Sequence, residues 1–262
     1  MITTENTPRL PGWIDLGSPD PAASAEFYRT VFGWSSESTM SDPEAGEYLL
    51  LRKDGKAVGG LGSLQDPSAK SDWTVYVRVP DAAPAIETAE ALGGTVRVPY
   101  MQVGPEGALA QLTDPTGAEF ALWEPGTFPG LEAACEDDSL LWVELYTHDP
   151  AAAKRFYGEL FGWKTDPYPM PEGAYDMWST NPGEGPDAFG GIVEVSGGEP
   201  IRDEKWVPCF MVADTDATVE RTREAGGTVL MPPTDAPPGR LAALTDRFGA
   251  RFTLLKPEPM AA

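Results

Sequence analysis

WIDLGSPDPAASAEFYRTVFGW at 13–34 returns as WVELYTHDPAAAKRFYGELFGW at 142–163, without a gap and at an offset of 129 residues. Eleven of the 22 positions are identical, among them DPAA, the FY pair and the closing FGW. In a chain of 262 residues, a period near half the length marks a tandem duplication. The copies stay in register downstream. GGLGSL (59–64) faces GGIVEV (190–195), Trp73 faces Trp206, LGGTV (92–96) faces AGGTV (225–229), and LTDPTGAEFAL (112–122) faces LTDRFGARFTL (244–254). Two domains are therefore expected, at 1–125 and 140–262, each of a size that supports one hydrophobic core. Residues 126–139 (GTFPGLEAACEDDS) read as a polar, acidic connector.

Within a copy the pattern predicts strand, helix, three strands, then the same again. In the first copy, residues 12–17 alternate, Ser18 or Asp20 can cap a helix with Pro21 in its first turn, and Gly33 stops it. Ala23, Phe27, Tyr28 and Val31 form its apolar stripe. Strands follow at about 46–52 and 57–64. DWTVYVRV opens the second group by strict alternation, and Asp81 caps a second helix that closes at Gly93 and Gly94. TDPTG is a turn before a last strand, AEFALW. Period-2 strands with one amphipathic helix per group predict a curved sheet with helices packed outside.

The bulk chemistry narrows the partners. A net charge of −22 disfavours nucleic acid, which calls for clustered Lys and Arg, and an anionic membrane surface. No stretch is long and apolar enough to span a bilayer, and MITTENTPRLPGW lacks the order of a signal peptide. Cys135 and Cys209 do not occupy matched places, so no disulfide framework is expected and a cytoplasmic location is the default. The glycine pairs lack a strand–GxGxxG–helix context, which removes a dinucleotide site. A small molecule, neutral or cationic, is the expected partner of a monomer or homodimer.

A strand, a DPxxxxxFY helix ending in (F/L)GW and a terminal TDPxGxxF(A/T)L hairpin, each present twice, resemble the vicinal-oxygen-chelate superfamily. That superfamily includes glyoxalase I, extradiol dioxygenases and bleomycin-binding proteins. The resemblance covers essentially the whole chain and implies an α+β fold, with paired βαβββ modules forming a cup-shaped, mostly antiparallel sheet with helices outside in each domain. It also implies, in the metal-using members, ligands on the first and last strands. Those positions fall here on Trp13 and Trp142, and on Ala121 and Thr253; the fifth strand offers Thr74 or Val75, and Val207 or Pro208. None of these is His, Glu or Asp, the third-strand ligand position stays open, and the one histidine, His148, sits in a strand-to-helix turn. No cofactor is expected, although a carboxylate-only divalent site stays open with 41 acidic residues.

Alternation then predicts what lines each cup. The first takes Trp13 and Asp15, then Thr74, Tyr76 and Arg78, then Glu119, Ala121 and Trp123. The second takes Trp142, Glu144 and Tyr146, then Val207, Cys209 and Met211, then Arg251, Thr253 and Leu255. These are aromatic pockets with few polar groups, suited to a small, largely apolar ligand. A carboxylate beside an indole titrates high, so Asp15 and Glu144 are the candidate bases. Arg78 either holds a substrate carboxylate or enolate or pairs with Asp15 structurally, and Tyr76 is a candidate oxyanion donor. Cys209, with no histidine beside it, reads as packing.

The function expected is binding of a small planar or polyketide-like metabolite, with lyase-, isomerase- or cyclase-type proton transfer and no metal. The alternatives are sequestration of a toxic compound without chemistry, or a metal-dependent glyoxalase or dioxygenase. A further one is that one of the two units is purely structural.

Overall fold

The computed structural model describes residues 1–42, 46–64, 66, 69–170, 173–180, 187–196 and 203–258. Four βαβββ modules follow one another. The first is β1 (Pro11–Ser18), α1 (Pro21–Phe32), β2 (Ser35–Asp42), β3 (Gly46–Lys53) and β4 (Lys56–Ser63). The second is β5 (Asp72–Arg78), α2 (Ala82–Ala91), β6 (Thr95–Val103), β7 (Gly107–Thr113) and β8 (Glu119–Pro125). The second copy supplies β9 (Ser139–Thr147), α3 (Pro150–Phe161), β10 (Lys164–Met170), β11 (Gly173–Ser179) and β12 (Gly190–Glu194). It ends with β13 (Lys205–Met211), α4 (Thr215–Glu224), β14 (Thr228–Ala236), β15 (Gly239–Thr245) and β16 (Arg251–Pro257).

Local chemistry sets these boundaries. Each helix is capped by an aspartate, Asp20, Asp81, Asp149 or Asp214, whose carboxylate accepts a main-chain N–H of the first turn at 2.9–3.1 Å. Asp20 rather than Ser18 is thus the first cap. Gly33 and Gly162 end α1 and α3 in the left-handed region, at φ 73° and 75°. β2 (SSESTMSD) has no apolar alternation by which its sequence could announce it.

The strands form two eight-stranded mixed sheets, in the orders β2-β3-β4-β1-β5-β8-β7-β6 and β10-β11-β12-β9-β13-β16-β15-β14. β1 runs parallel to β4, β5 to β8, β9 to β12 and β13 to β16. The β2–β3, β3–β4, β6–β7 and β7–β8 pairs, and β10–β11, β11–β12, β14–β15 and β15–β16 in the second sheet, are hairpin-like and antiparallel.

The sheets follow the two copies; the compact bodies do not. One body comprises Met1–Trp13, Val75–Gly130 and Trp142–Val207, the other Ile14–Thr74, Leu131–Leu141 and Pro208–Ala262. In the first, Phe156, Tyr157 and Phe161 of α3 pack edge-on against Phe120, a residue of the other copy. In the second, Phe27, Tyr28 and Phe32 of α1 pack on Phe252, and Phe32 also meets Phe210.

A buried polar triad lies inside each apolar core. Trp206 Nε1 donates to the Tyr157 hydroxyl at 2.8 Å, and that hydroxyl donates to Asp114 Oδ2 at 2.9 Å. Asp114 Oδ1 accepts from the main-chain N–H groups of Thr116, Gly117 and Ala118 and from the Thr116 hydroxyl, at 2.8–3.0 Å. In the other body Trp73 Nε1 donates to Tyr28 at 3.1 Å, and Tyr28 donates to Asp246 Oδ2 at 3.4 Å. Burial drives both phenols well above their ordinary titration range, so both stay neutral donors.

The connector is built into this packing. Leu131 and Ala133 are buried, and Glu132 accepts the Ala57 N–H at 2.7 Å through its carboxylate. Its acidic composition concealed that role.

Tyr157→Phe removes a bond to a buried carboxylate and leaves the Trp206 N–H without an acceptor, so a loss of about 2–4 kcal/mol is expected. Tyr28→Phe breaks a longer bond and should cost about half as much. Urea unfolding of the two variants tests the order; equal or negligible losses would contradict it.

Candidate functional site

Glu144 lies in the middle of β9, opposite Gly191 of β12. Its side chain is the hub of a hydrogen-bonded cluster. Tyr175 on β11 donates to Oε1 at 3.0 Å, and Tyr146, two residues along β9, donates to Oε2 at 3.2 Å. Trp142 Nε1 in turn donates to the Tyr175 hydroxyl at 3.0 Å. Trp142, Glu144 and Tyr146 thus share one face of β9, as a period of two requires. The residue keeps some solvent-accessible surface, yet burial pushes its carboxyl above the ordinary range, opposed by the hydrogen bonds from Tyr175 and Tyr146. The Tyr175 phenol is itself raised well above its normal range, first by burial and then by the Glu144 charge. Among the described residues no Lys or Arg forms an ion pair with Glu144.

Tyr175 was not among the residues singled out from sequence. The signal was present: GEY at 46–48 and GAY at 173–175 are matched tripeptides of the two copies, as are the GG pairs at 59–60 and 190–191. A Cβ at Gly191 would collide with the Tyr175 hydroxyl, so that glycine is what lets the tyrosine lie over the strand. The first copy repeats the device. Asp15 pairs with Gly60, and a Cβ at Gly60 would collide with the Tyr48 hydroxyl and press on the Asp15 Cβ. Asp15 is half-buried.

The other first-copy candidates are placed differently. Arg78 is completely buried, and its guanidinium is engaged by main-chain carbonyls: Nε to Pro129 at 3.0 Å, Nη1 to Thr3 at 3.1 Å and Nη2 to Gly12 at 3.3 Å. Burial lowers its pKa to about 10. Through these bonds it ties together three chain segments. Trp13 is buried with its ring edge-on to Phe128, centroids 5.0 Å apart. Trp123 Nε1 donates to the Phe128 carbonyl at 3.0 Å. Tyr76 is buried and accepts from Gln111 Nε2 at 3.4 Å. Glu119 is exposed and forms an ion pair with Arg97 at 2.8 Å, so its charge is neutralised at the surface instead of lining a cup.

On the last strands of the second copy, buried Cys209 pairs with Thr253, and Met211 with Leu255. Met211 and Arg251 are half-buried. The Thr253 hydroxyl is buried and has no hydrogen-bond partner among the described residues.

These donors do not fit a divalent ion. The first- and last-strand ligand positions carry two indoles, a methyl and a hydroxyl. Among the described residues no three His, Cys, Asp or Glu side chains converge. His148 is exposed and bonded to Glu204. Nor is any helix of the described residues long and apolar enough to cross a membrane.

Residues 139–254 match the model of the Glyoxalase/Bleomycin resistance protein/Dioxygenase superfamily, and 13–123 that of a glyoxalase-like domain. The anthracycline biosynthesis protein DnrV of Streptomyces peucetius is 36% identical, over 97% of this chain and 95% of its own. The chain belongs to the glyoxalase/bleomycin resistance protein/dioxygenase superfamily. A second relative of this superfamily protein, the putative glyoxylase CFP32 of Mycobacterium bovis, is 32% identical over 95% of both chains. Among solved structures, the Mn(II)-bound glyoxalase from Novosphingobium aromaticivorans aligns with a TM-score of 0.62 at 13% identity, covering 94% of this chain and 82% of that one. The 2,3-dioxygenase LapB from Pseudomonas sp. KL28 gives 0.59 at 17%, over 96% and 94%. At such identities they share the fold, as the resemblance read from the repeated motifs implied.

The Glu144 cluster has a pH signature. Its folded-state value is raised, so as pH climbs past the ordinary 4.5 the unfolded chain ionises first and stability falls. The fall ends once Glu144 ionises in the folded protein too. Glu144→Gln escapes this penalty: it should match the parent below that window and exceed it above, measured by urea unfolding across the acid-to-neutral range. Tyr175→Phe removes a bond that favours the charged form and should shift the carboxyl resonance titration of Glu144 further upward. An unmoved titration would dissociate Tyr175 from Glu144.

Proposed function

We propose that the chain binds a small planar, largely apolar metabolite against the Trp142 wall of its second copy. There Glu144 moves a proton at a carbon next to a carbonyl, without a metal. The observation that carries the proposal is the caged carboxylate: a base with a raised pKa, two phenol donors on its oxygens and no cationic partner among the described residues. Glu144 takes the proton from the C–H bond, and the electron pair passes to the carbonyl oxygen as an enolate. Protonation removes the carboxylate's claim on the phenols, so the Tyr175 or Tyr146 hydroxyl turns to the new oxyanion. Return of the proton to a different carbon completes an isomerisation; loss of a leaving group from the enolate completes an elimination.

Asp15, with Tyr48 and Gly60 beside it, is the corresponding base of the first copy in this reading. Trp142 and Tyr146 supply the apolar wall beside Glu144. The relatives named for anthracycline biosynthesis support an aromatic polyketide as the class of ligand.

The test begins with a native mass-spectrometric screen of metabolites, which reports bound ligand and bound metal together. Turnover of the recovered ligand is then compared between the parent, Glu144→Gln and Asp15→Asn. Loss of a general base is expected to slow turnover by about 10²–10⁴-fold, in Glu144→Gln more than in Asp15→Asn. Unchanged turnover in both would refute the catalytic assignment. Ligand recovered unaltered after prolonged incubation would point to sequestration.

A further inference from the structure

The helix side of the first sheet carries an open groove where the second copy has an ion pair. Glu47 and Leu49 share one face of β3, while Tyr48 between them turns to Gly60 and Asp15 on the other. The groove therefore lies across the sheet from the Asp15 carboxylate. α1 forms its second wall, where the short side chains of Ala22 and Ala25 leave a space of about 390 Å³. Buried Leu49 and Trp34 give that space an apolar floor.

The second copy fills the corresponding place itself. At the motif offset of 129, Ala25 stands where the second copy has Lys154. Matching GEY to GAY puts Leu49 opposite Asp176 and Glu47 opposite Ala174. Lys154 of α3 forms an ion pair with Asp176 of β11, so an alkylammonium bridges helix and strand there. The first copy has neither partner, and its acid sits two residues earlier on the strand, at Glu47. Glu47 is half-buried, and among the described residues no Lys or Arg forms an ion pair with it. Arg29, the cation among the lining residues, is taken by Glu26 through Nε at 2.7 Å and Nη2 at 2.5 Å. The groove thus holds one carboxylate more than it has cations, and the net charge of −22 further favours a positive guest.

We propose that this groove binds a small primary alkylammonium compound. Its chain lies on Ala25, Leu49 and Trp34 and its ammonium meets Glu47, so the ligand supplies what the Lys154 side chain supplies within the second copy. The site is separate from the cup and uses none of the groups given to the proposed proton transfer.

The experiment compares n-hexylamine, protonated at neutral pH, with hexan-1-ol, which has the same chain without the charge. Each is titrated into the full chain, with the Ala22 and Ala25 methyl resonances as reporters. The parent should bind the amine about three- to fivefold more tightly than the alcohol, the range of a half-exposed ion pair, and lose that margin in high salt. Glu47→Gln should remove the preference and leave binding of the alcohol unchanged. Ala25→Lys, which restores the second copy's lysine, should abolish binding of both probes. Equal binding of the two probes by the parent would overturn the proposal, and so would an amine preference that survives Glu47→Gln. No binding of either would refute it outright. Should Glu47→Gln disturb the fold, Ala25→Lys decides alone: amine binding that persists beside the new lysine overturns the proposal, and its loss supports it.

Discussion

A buried tyrosine hydroxyl bonded to a buried aspartate holds each compact body together, and the partners come from different copies of the duplicated sequence. Tyr157 belongs to the second FY pair and Asp114 to the first TD turn; Tyr28 and Asp246 are the converse pair. Such a bond is worth far more to a folded chain when broken than when made, because an orphaned carboxylate or indole N–H in an apolar core has no water to fall back on. Each FY helix is thereby committed to the terminal hairpin of the other copy. The duplicated motifs therefore persist for a physical reason: FY, TD and the tryptophan of DW or KW are three parts of one polar triad set inside aromatic packing.

That commitment fixes the strands from which the candidate site projects. β9 carries Trp142, Glu144 and Tyr146 on one face, while its neighbour β12 presents a glycine exactly where Tyr175 must cross. The rigidity is useful. A carboxylate can remain away from water with a raised pKa only if its hydrogen-bond donors are held by the scaffold, since a mobile side chain would swing out and be solvated. The cost is real, for a burial-raised carboxyl works against folding at neutral pH.

Much of this was legible in the residues. The duplication, the capping aspartates, the helix-ending glycines and the alternating faces of β1, β5 and β9 all follow from spacing and local chemistry, and the indoles at the ligand positions could be read directly. Three things could not. Identical motifs cannot reveal which tyrosine meets which aspartate, because the pairing is decided by how four modules pack and not by any one of them. Phe128 and Leu131 lie in a stretch whose acidic composition suggests a solvated tether, though two or three apolar side chains suffice to bury it. Glu119 has the right parity for an inward position, but parity says nothing of depth, and near the start of its strand it meets Arg97 instead.

The two carboxylate devices deserve comparison as chemistry. Both use a glycine for the room it leaves rather than for a left-handed backbone, and in both the tyrosine hydroxyl occupies that room. They differ by one methylene in the acid. Glu144 accepts from Tyr175 of β11 and from Tyr146 of its own strand, whereas the shorter Asp15 has a glycine, Gly17, in the place of Tyr146. On its face of the strand Asp15 therefore has one phenol fewer beside it. Arg78 is meanwhile bonded to the connector through the Pro129 carbonyl. Divergence after duplication has therefore left the carboxylate with two phenol donors in the second copy and the connector-bound guanidinium in the first.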